Sequence, residues 1–168
     1  MKPFLYILSI LVLIPACKKD PAQTTTYCSQ KIQVSPTPLP SDSLLIFIPN
    51  AFTPNGFGES INEKFYVSLP QDYTYRCRVH FGKTLLFESK NINVGWDGRI
   101  AGSYAYGTFD YLINITTPKG KSFEFKGKIA SMDITKPTAY CQECLFADQI
   151  EHGRGFVLPT TETFKCAD

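Results

Sequence analysis

An all-β antiparallel sandwich is the fold this sequence predicts. Three observations lead there. The 168 residues include nine Tyr and thirteen Phe, with Thr and Ile frequent, a composition that suits strands better than helices. Apolar runs are short and stop at Pro or Gly, and no long stretch carries a convincing helical pattern. Tyr73 to Phe81 alternates: Tyr73, Tyr75, Cys77, Val79 and Phe81 share one face, while Thr74, Arg76, Arg78 and His80 share the other. Short strands with one charged face, separated by Gly/Pro turns, are expected to pack as an immunoglobulin-like antiparallel β-sandwich.

Residues 1–16 lie outside that fold. Lys2 opens a short positive segment, and Phe4 to Ile14 is apolar except for Tyr6 and Ser9. That run is too short to span a membrane, which takes about 20 apolar residues. Ile14-Pro15-Ala16-Cys17 resembles a lipobox: an aliphatic and a small residue before Cys. Cleavage before Cys17 would leave that residue lipidated and the protein anchored, since each buried methylene contributes about 0.8 kcal/mol. An ordinary secretory leader followed by an accidental Cys is the alternative. Residues 17–43 then read as a tether, with Thr24-Thr25-Thr26 and prolines at 36, 38 and 40 favouring an extended chain.

The folded unit is expected over 44–134. Leu44 to Ile48 reads as a buried strand that stops at Pro49. A turn-rich loop follows with Asn50, Pro54, Asn55, Gly56 and Gly58. Further strands are expected at Phe65–Leu69, Tyr73–Phe81 and, after a Gly82-Lys83 hairpin turn, Thr84–Glu88. Asn91 to Gly102 reads as a loop around Trp96. Phe109–Thr117 and Ser122–Met132 pair through the turn at Pro118-Lys119-Gly120. Residues 135–168 form a Cys-bearing C-terminal extension, with a short helix expected at Cys144–Gly153 and an edge strand at Phe156–Leu158.

Six Cys are present, at 17, 28, 77, 141, 144 and 166. Cys77 falls on the apolar face and reads as a buried thiol. Outside the cytoplasm, Cys28, Cys141, Cys144 and Cys166 are expected to form two disulfides. A bond within Cys141-x-x-Cys144 is strained at that spacing, so each is expected to pair with Cys28 or Cys166. With Cys28 bonded to the extension, Lys18 to Tyr27 spans roughly 33 Å at most, which keeps the domain near the membrane. Two rival uses are a thioredoxin-like redox pair, which lacks the βαβ context, and a zinc site, which lacks a second C-x-x-C.

Charged residues make up 19% of the chain, and its formal net charge is +2. No Lys/Arg block marks a nucleic-acid surface. No nucleophile, metalloprotease or phosphate-loop motif is present, and no catalytic residue or cofactor is assigned. His80 reads as a solvated residue on the outer face of a strand, and only His152 joins it. The Asn55–Glu63 loop offers Glu59 and Glu63 as carboxylates. Calcium prefers several carboxylates among six to eight oxygens, so a structural loop is the stronger reading and no metal is assigned. Trp96-Asp97-Gly98 reads as structural too: a buried ring, an Asx turn and a positive-φ glycine.

The order of these motifs resembles the gliding-motility-associated C-terminal domain of Bacteroidetes surface proteins, whose opening runs roughly N-x-F-T-P-N-G-D-G-x-N-D-x-F. Asn50, Phe52, Thr53, Pro54, Asn55, Gly56 and Gly58 match it. Asn62 and Phe65 match after an apparent insertion near Glu59 and Ser60, while Phe57 and Glu63 replace the two Asp. Gly82 with Phe87-Glu88-Ser89, Trp96-Asp97-Gly98 and Gly107-Thr108-Phe109 follow in order, so the likeness covers roughly Leu44 to Asp133. Lys18-Lys19-Asp20 partly resembles the charged signals that direct Bacteroidetes lipoproteins to the cell surface. The resemblance implies an Ig-like sandwich. Together with the lipobox at Cys17, it points to a non-catalytic outer-membrane lipoprotein, at the surface rather than the periplasmic face, and the resemblance implies an assembly linked to gliding motility or type 9 secretion. A carbohydrate-binding or adhesin-type module and a thiol-redox protein are the alternatives. The extension, which the family domain lacks, is expected to carry the partner-specific surface and to be dispensable for folding of the sandwich.

Overall fold

The computed structural model describes residue 28 and residues 31–35, 46–56, 60–136, 143–150 and 159–163. These form an all-β protein. The strands are β1 (Gln33–Ser35), β2 (Ala51–Phe52), β3 (Thr74–Phe81), β4 (Thr84–Ser89), β5 (Arg99–Ile100), β6 (Ser103–Tyr104), β7 (Gly107–Thr116) and β8 (Ser122–Ser131). The main sheet runs β1-β8-β7-β3-β4, all antiparallel, and β2 adds to β8 in parallel. Among the described residues no helix is long and apolar enough to cross a membrane.

Period-two patterning builds the sheet. In β7, Phe109, Tyr111, Ile113 and Ile115 are buried while Asp110, Leu112, Asn114 and Thr116 face outward. Phe123, Phe125 and Ile129 of β8 and Tyr75, Cys77 and Val79 of β3 join the same inner face. Phe81 keeps that parity but lies at the hairpin tip, 63% exposed, with its ring 5.8 Å from that of Phe109. Gly127 occupies an inner position opposite Tyr111, and a Cβ there would collide with the Tyr111 ring and hydroxyl. Here the tyrosine ring fills the place of the missing side chain.

The inner face is covered by extended segments rather than by a second regular sheet. The sequence places strands at Leu44–Ile48 and Phe65–Leu69. Leu44 and Leu45 lie outside the described residues, and the rest makes single bridges, Phe47 with Ser68 and Phe65 with Trp96. The chemistry explains why neither ladder grows. Continuing from the Phe47–Ser68 pair would set Pro49 opposite Tyr66, and proline has no N–H to donate. Continuing from Phe65–Trp96 would set Val94 opposite Val67, but the Val94 N–H already closes a turn onto the Asn91 carbonyl at 3.0 Å. The layer still buries Phe65, Val67, Leu69 and Trp96 against the sheet. Trp96 stacks edge-on to Phe109 at 4.8 Å and meets Phe52 at 5.5 Å, and Phe65 meets Tyr111 at 5.5 Å. Ring pairs of this kind add about 0.5–1.5 kcal/mol beyond their buried area.

Two other expectations change. The loop expected over Asn91–Gly102 contains most of a small hairpin, β5–β6. Its turn residues Ala101 and Gly102 both take left-handed φ, 50° and 86°, as a type I′ turn requires. The helix expected at Cys144–Gly153 is instead an extended stretch followed by a single 3₁₀ turn at Ala147–Gln149, ending in extended backbone at Ile150. The Leu145 backbone is held straight by Asn50, as described below, so no helical hydrogen bonds start there. Gly153 and the edge strand expected at Phe156–Leu158 lie outside the described residues.

Candidate functional site

The loop from Asn50 to Asn62 is where distant parts of the chain converge. Pro49 ends the preceding apolar run, and β2 pins the loop to β8 through Ala130 N–H to the Asn50 carbonyl at 2.8 Å and Met132 N–H to the Phe52 carbonyl at 2.9 Å. The side chains of Asn50, Thr53 and Asn62 thereby face the C-terminal extension. Asn50 Nδ2 donates to the Glu143 carbonyl at 2.8 Å, and its Oδ1 accepts the Leu145 N–H at 2.6 Å. The Leu145 carbonyl in turn accepts the N–H groups of Asn50 and Ala51. Asn50 thus pairs the extension as a strand would, using both its backbone and its side chain.

A second contact lies deeper. Glu162 is 8% exposed, and its Oε1 accepts from Thr53 Oγ1 at 3.1 Å and from Asn62 Nδ2 at 2.9 Å. Asn62 Oδ1 accepts the Asp148 N–H at 3.0 Å. Asp148 then ties down its own chain: its carboxylate accepts from both Thr160 and Thr161 hydroxyls and from the Thr161 N–H. Thr53 and Asn62 are fully buried, so these bonds supply the partners that burial demands.

Apolar packing completes the attachment. Cys28, Ala51, Ala130, Met132, Cys144 and Phe146 form a second core. Ala130 has the outward parity of Lys126 and Lys128, so this core sits on the outer face at the end of β8. A disulfide joins Cys28 to Cys144 across 116 residues of sequence. This pairing is one of those the cysteine spacing allows, and it leaves Cys144 bonded to Cys28 rather than to Cys141. Cys17, Cys141 and Cys166 lie outside the described residues. The extension is therefore part of the folded unit: removing Phe146, fully buried, would open the second core. Deletion of residues 137–168, expected from the sequence to leave the sandwich folded, would also remove the Cys144 and Phe146 side chains from this second core.

The other residues singled out by sequence have structural surroundings. Asn55 Nδ2 donates to Asp133 Oδ1 at 3.3 Å, and Gly56 takes φ 72°. Gly58 lies outside the described residues. Burial works to raise the Asp133 carboxyl, but the Thr135 hydroxyl and N–H and the Lys136 ammonium outweigh it and hold the group below its usual range. Trp96 is 2% exposed, and its indole Nε1 has no hydrogen-bond partner. Asp97 Oδ1 accepts the Arg99 N–H at 3.1 Å, closing the Asx turn. Gly98 takes φ 73°, and a Cβ there would lie 2.9 Å from Pro54. Cys77 is a free buried thiol. Burial pushes it up to about 11, against the hydrogen bond from Tyr75 and the charge of Arg78. Such a thiol is a poor nucleophile at neutral pH.

The outer face of the sheet is a lattice of charge. Arg76 pairs with Glu88 at 2.8 Å, Lys126 with Glu124 at 2.7 Å and Lys128 with Asp110 at 2.8 Å. Arg78 donates to Asn114 at 2.7 Å, and Asn114 to Glu124 at 3.2 Å. Hydrogen bonds from Lys126 and Asn114 hold the Glu124 carboxyl below its ordinary value. His80 lies on this face, as its strand parity requires. On the opposite side a cavity of about 550 Å³ is lined by Phe47, Tyr66, Gln71, Asn93, Ala147 and Ile150, among others. Among the described residues no group of three or more His, Cys, Asp or Glu is placed to hold a metal ion.

Sequence reasoning found the loop but missed its partners. The sequence marks Asn50 as a turn residue and Asn50 and Thr53 as motif matches, and carries no signal at Glu162 or Asp148. Comparison with known proteins adds no relative: no protein-family model matches the chain, and no curated protein or solved structure does either.

Proposed function

We propose that this chain is a non-catalytic envelope lipoprotein, anchored through Cys17 at the outer membrane and acting as an accessory subunit of an assembly linked to gliding motility or type 9 secretion. The observation that carries the proposal is the attachment of the extension to the motif loop. The residues behind the resemblance, Asn50, Thr53 and Asn62, are engaged by Glu143, Leu145, Asp148 and Glu162. A surface held in this way, on a domain tethered close to a membrane, suits presentation to a partner. The strand order supports an Ig-like sandwich: β8-β7-β3-β4 with a short parallel strand on β8, faced by a layer bridged 47–68 and 65–96. Purification of the tagged protein from native membranes tests the proposal. Outer-membrane proteins of a secretion or motility assembly should co-purify, and Cys17→Ala should lose both the lipid label and the membrane fraction. Palmitate labelling that survives Cys17→Ala, or purification without such partners, would count against it.

A second reading, a carbohydrate-binding module, is favoured by the cavity of about 550 Å³, where Phe47 and Tyr66 lie beside the amides of Gln71 and Asn93. Aromatic faces and amides together suit a sugar ring. Glycan-array binding that disappears in Tyr66→Ala would support this reading over the first.

A further inference from the structure

The outer face of the main sheet has a charge balance that the anchoring role leaves unused. It carries Lys31, Arg76, Arg78, Lys126 and Lys128 against Glu88, Asp110 and Glu124, so cations exceed carboxylates. A groove of about 480 Å³ runs across it, lined by Lys31, His80, Asp110, Leu112, Lys126 and Lys128 among others. At its β3–β4 end the groove meets the hairpin tip, where Leu85, paired with His80 on this face, is 49% exposed beside the exposed Lys83. Basic side chains beside an apolar group on a projecting turn match the boundary of an anionic bilayer, where headgroups are charged and the next layer is not.

The position of Cys28 sets the orientation. It lies three residues before Lys31 and packs on Ala130 and Met132. The segment that leads to Cys17 therefore joins the described fold on the same face, at the same end, as Lys128 and the hairpin tip. We propose that this face, through Lys31, Lys126 and Lys128 with Leu85, docks on anionic lipid headgroups of the membrane that holds the Cys17 anchor. The geometry rests on the anchored reading above. A soluble acidic polysaccharide would meet the same lysines, but it would leave Leu85 in water, so a lipid surface fits the whole patch better.

The test uses the chain from Lys18 onward, which keeps every described residue and lacks the anchor, with vesicles of phosphatidylcholine alone or with phosphatidylglycerol. Cosedimentation should appear with phosphatidylglycerol and fall as salt rises from about 50 to about 300 mM, where screening shortens to a few ångströms. Each lysine near such a surface strengthens partitioning roughly fivefold, so Lys126→Gln with Lys128→Gln should weaken it about 25-fold. Leu85→Ala should weaken it without changing the salt dependence. Lys119→Gln with Lys121→Gln, in the turn at the far end of β7–β8, should leave it unchanged. Equal binding to phosphatidylcholine alone, or equal loss from the far-end pair, would overturn the proposal. So would capture by polygalacturonate without any vesicle binding, which would assign the face to acidic polysaccharide. Anchoring is read separately from Cys17 labelling, so vesicle binding can fail while the anchor stands.

Discussion

Thr53→Val is the sharpest probe of how the extension is held. Valine keeps the shape of threonine and removes only a hydroxyl. That hydroxyl is fully buried and donates to Glu162 Oε1 at 3.1 Å. Hydrogen bonds to charged groups contribute about 1.5–3 kcal/mol net, and this one is long for an O–H donor, so about 1.5 kcal/mol is expected. In a Glu162→Ala background the hydroxyl has already lost this acceptor, and the same substitution should cost nothing. The coupling energy from the double-mutant cycle should then be about 1.5 kcal/mol. Glu162→Ala alone strips the acceptor from both Thr53 and Asn62 and should cost about 3–5 kcal/mol. Urea unfolding followed by Trp96, the only tryptophan and 2% exposed, provides the assay. With a slope of about 2 kcal/mol per M, Thr53→Val should lower the midpoint by about 0.7 M. If the two substitutions add to within about 0.5 kcal/mol, Glu162 does not hold the loop and the attachment described here is wrong.

Four further outcomes are expected. Trp96→Ala should cost about 3–5 kcal/mol by circular dichroism, because the ring is buried between Phe52 and Phe109; a fully stable variant would show the ring is not part of the core. Ala101→Gly should raise stability by about 0.5–1 kcal/mol, because Ala101 is the one non-glycine residue with positive φ among those described; a loss would mean the turn is not left-handed there. Cys28→Ser should cost about 2–5 kcal/mol, as the bond closes a loop of more than 100 residues, and reducing agent should lower the wild-type midpoint by more than that of the variant. Asp133 has a depressed folded pKa, so its contribution is present above its unfolded value of about 3.9 and is lost as pH falls through the lower folded value. The stability gap between wild type and Asp133→Asn should accordingly shrink between about pH 5 and pH 2; a gap independent of pH would refute the assignment.

The regular half of the fold was legible because β3, β7 and β8 alternate over eight to ten residues, and one buried face fixes parity and register together. The covering layer was not. Leu44–Ile48 and Phe65–Leu69 are apolar enough for strands, but their ladders stop where Pro49 lacks a donor and where Val94 spends its own on a turn. Both facts depend on which residues end up opposite each other. The attachment of the extension was less legible still. Thr53 and Asn62 meet Glu162 across more than 100 and 100 residues of chain respectively, and Thr160-Thr161-Glu162 carries no local pattern to announce it. One signal was available. After Lys126-Gly127-Lys128 the alternation of β8 gives way to Ile129-Ala130-Ser131-Met132, all buried. A strand buried on both faces at one end needs a second cover there, and the extension is that cover.

The Cys28–Cys144 bond also determines how the protein would carry tension. A pull applied to the chain before Cys28, as the proposed anchor would apply it, reaches Cys28 before it reaches β1, and β1 is a three-residue strand that could be unzipped from β8 one pair at a time. The disulfide diverts that force across to Cys144. If the opposing pull comes from a partner gripping the chain beyond Cys144, the load runs from tether to partner through one covalent link and the sheet is never in the line of stress. Residues 29–143 form a closed loop hung beside that line. A domain connected in this way behaves under drag as a rivet rather than as a spring, and its sheet would be drawn out only after reduction.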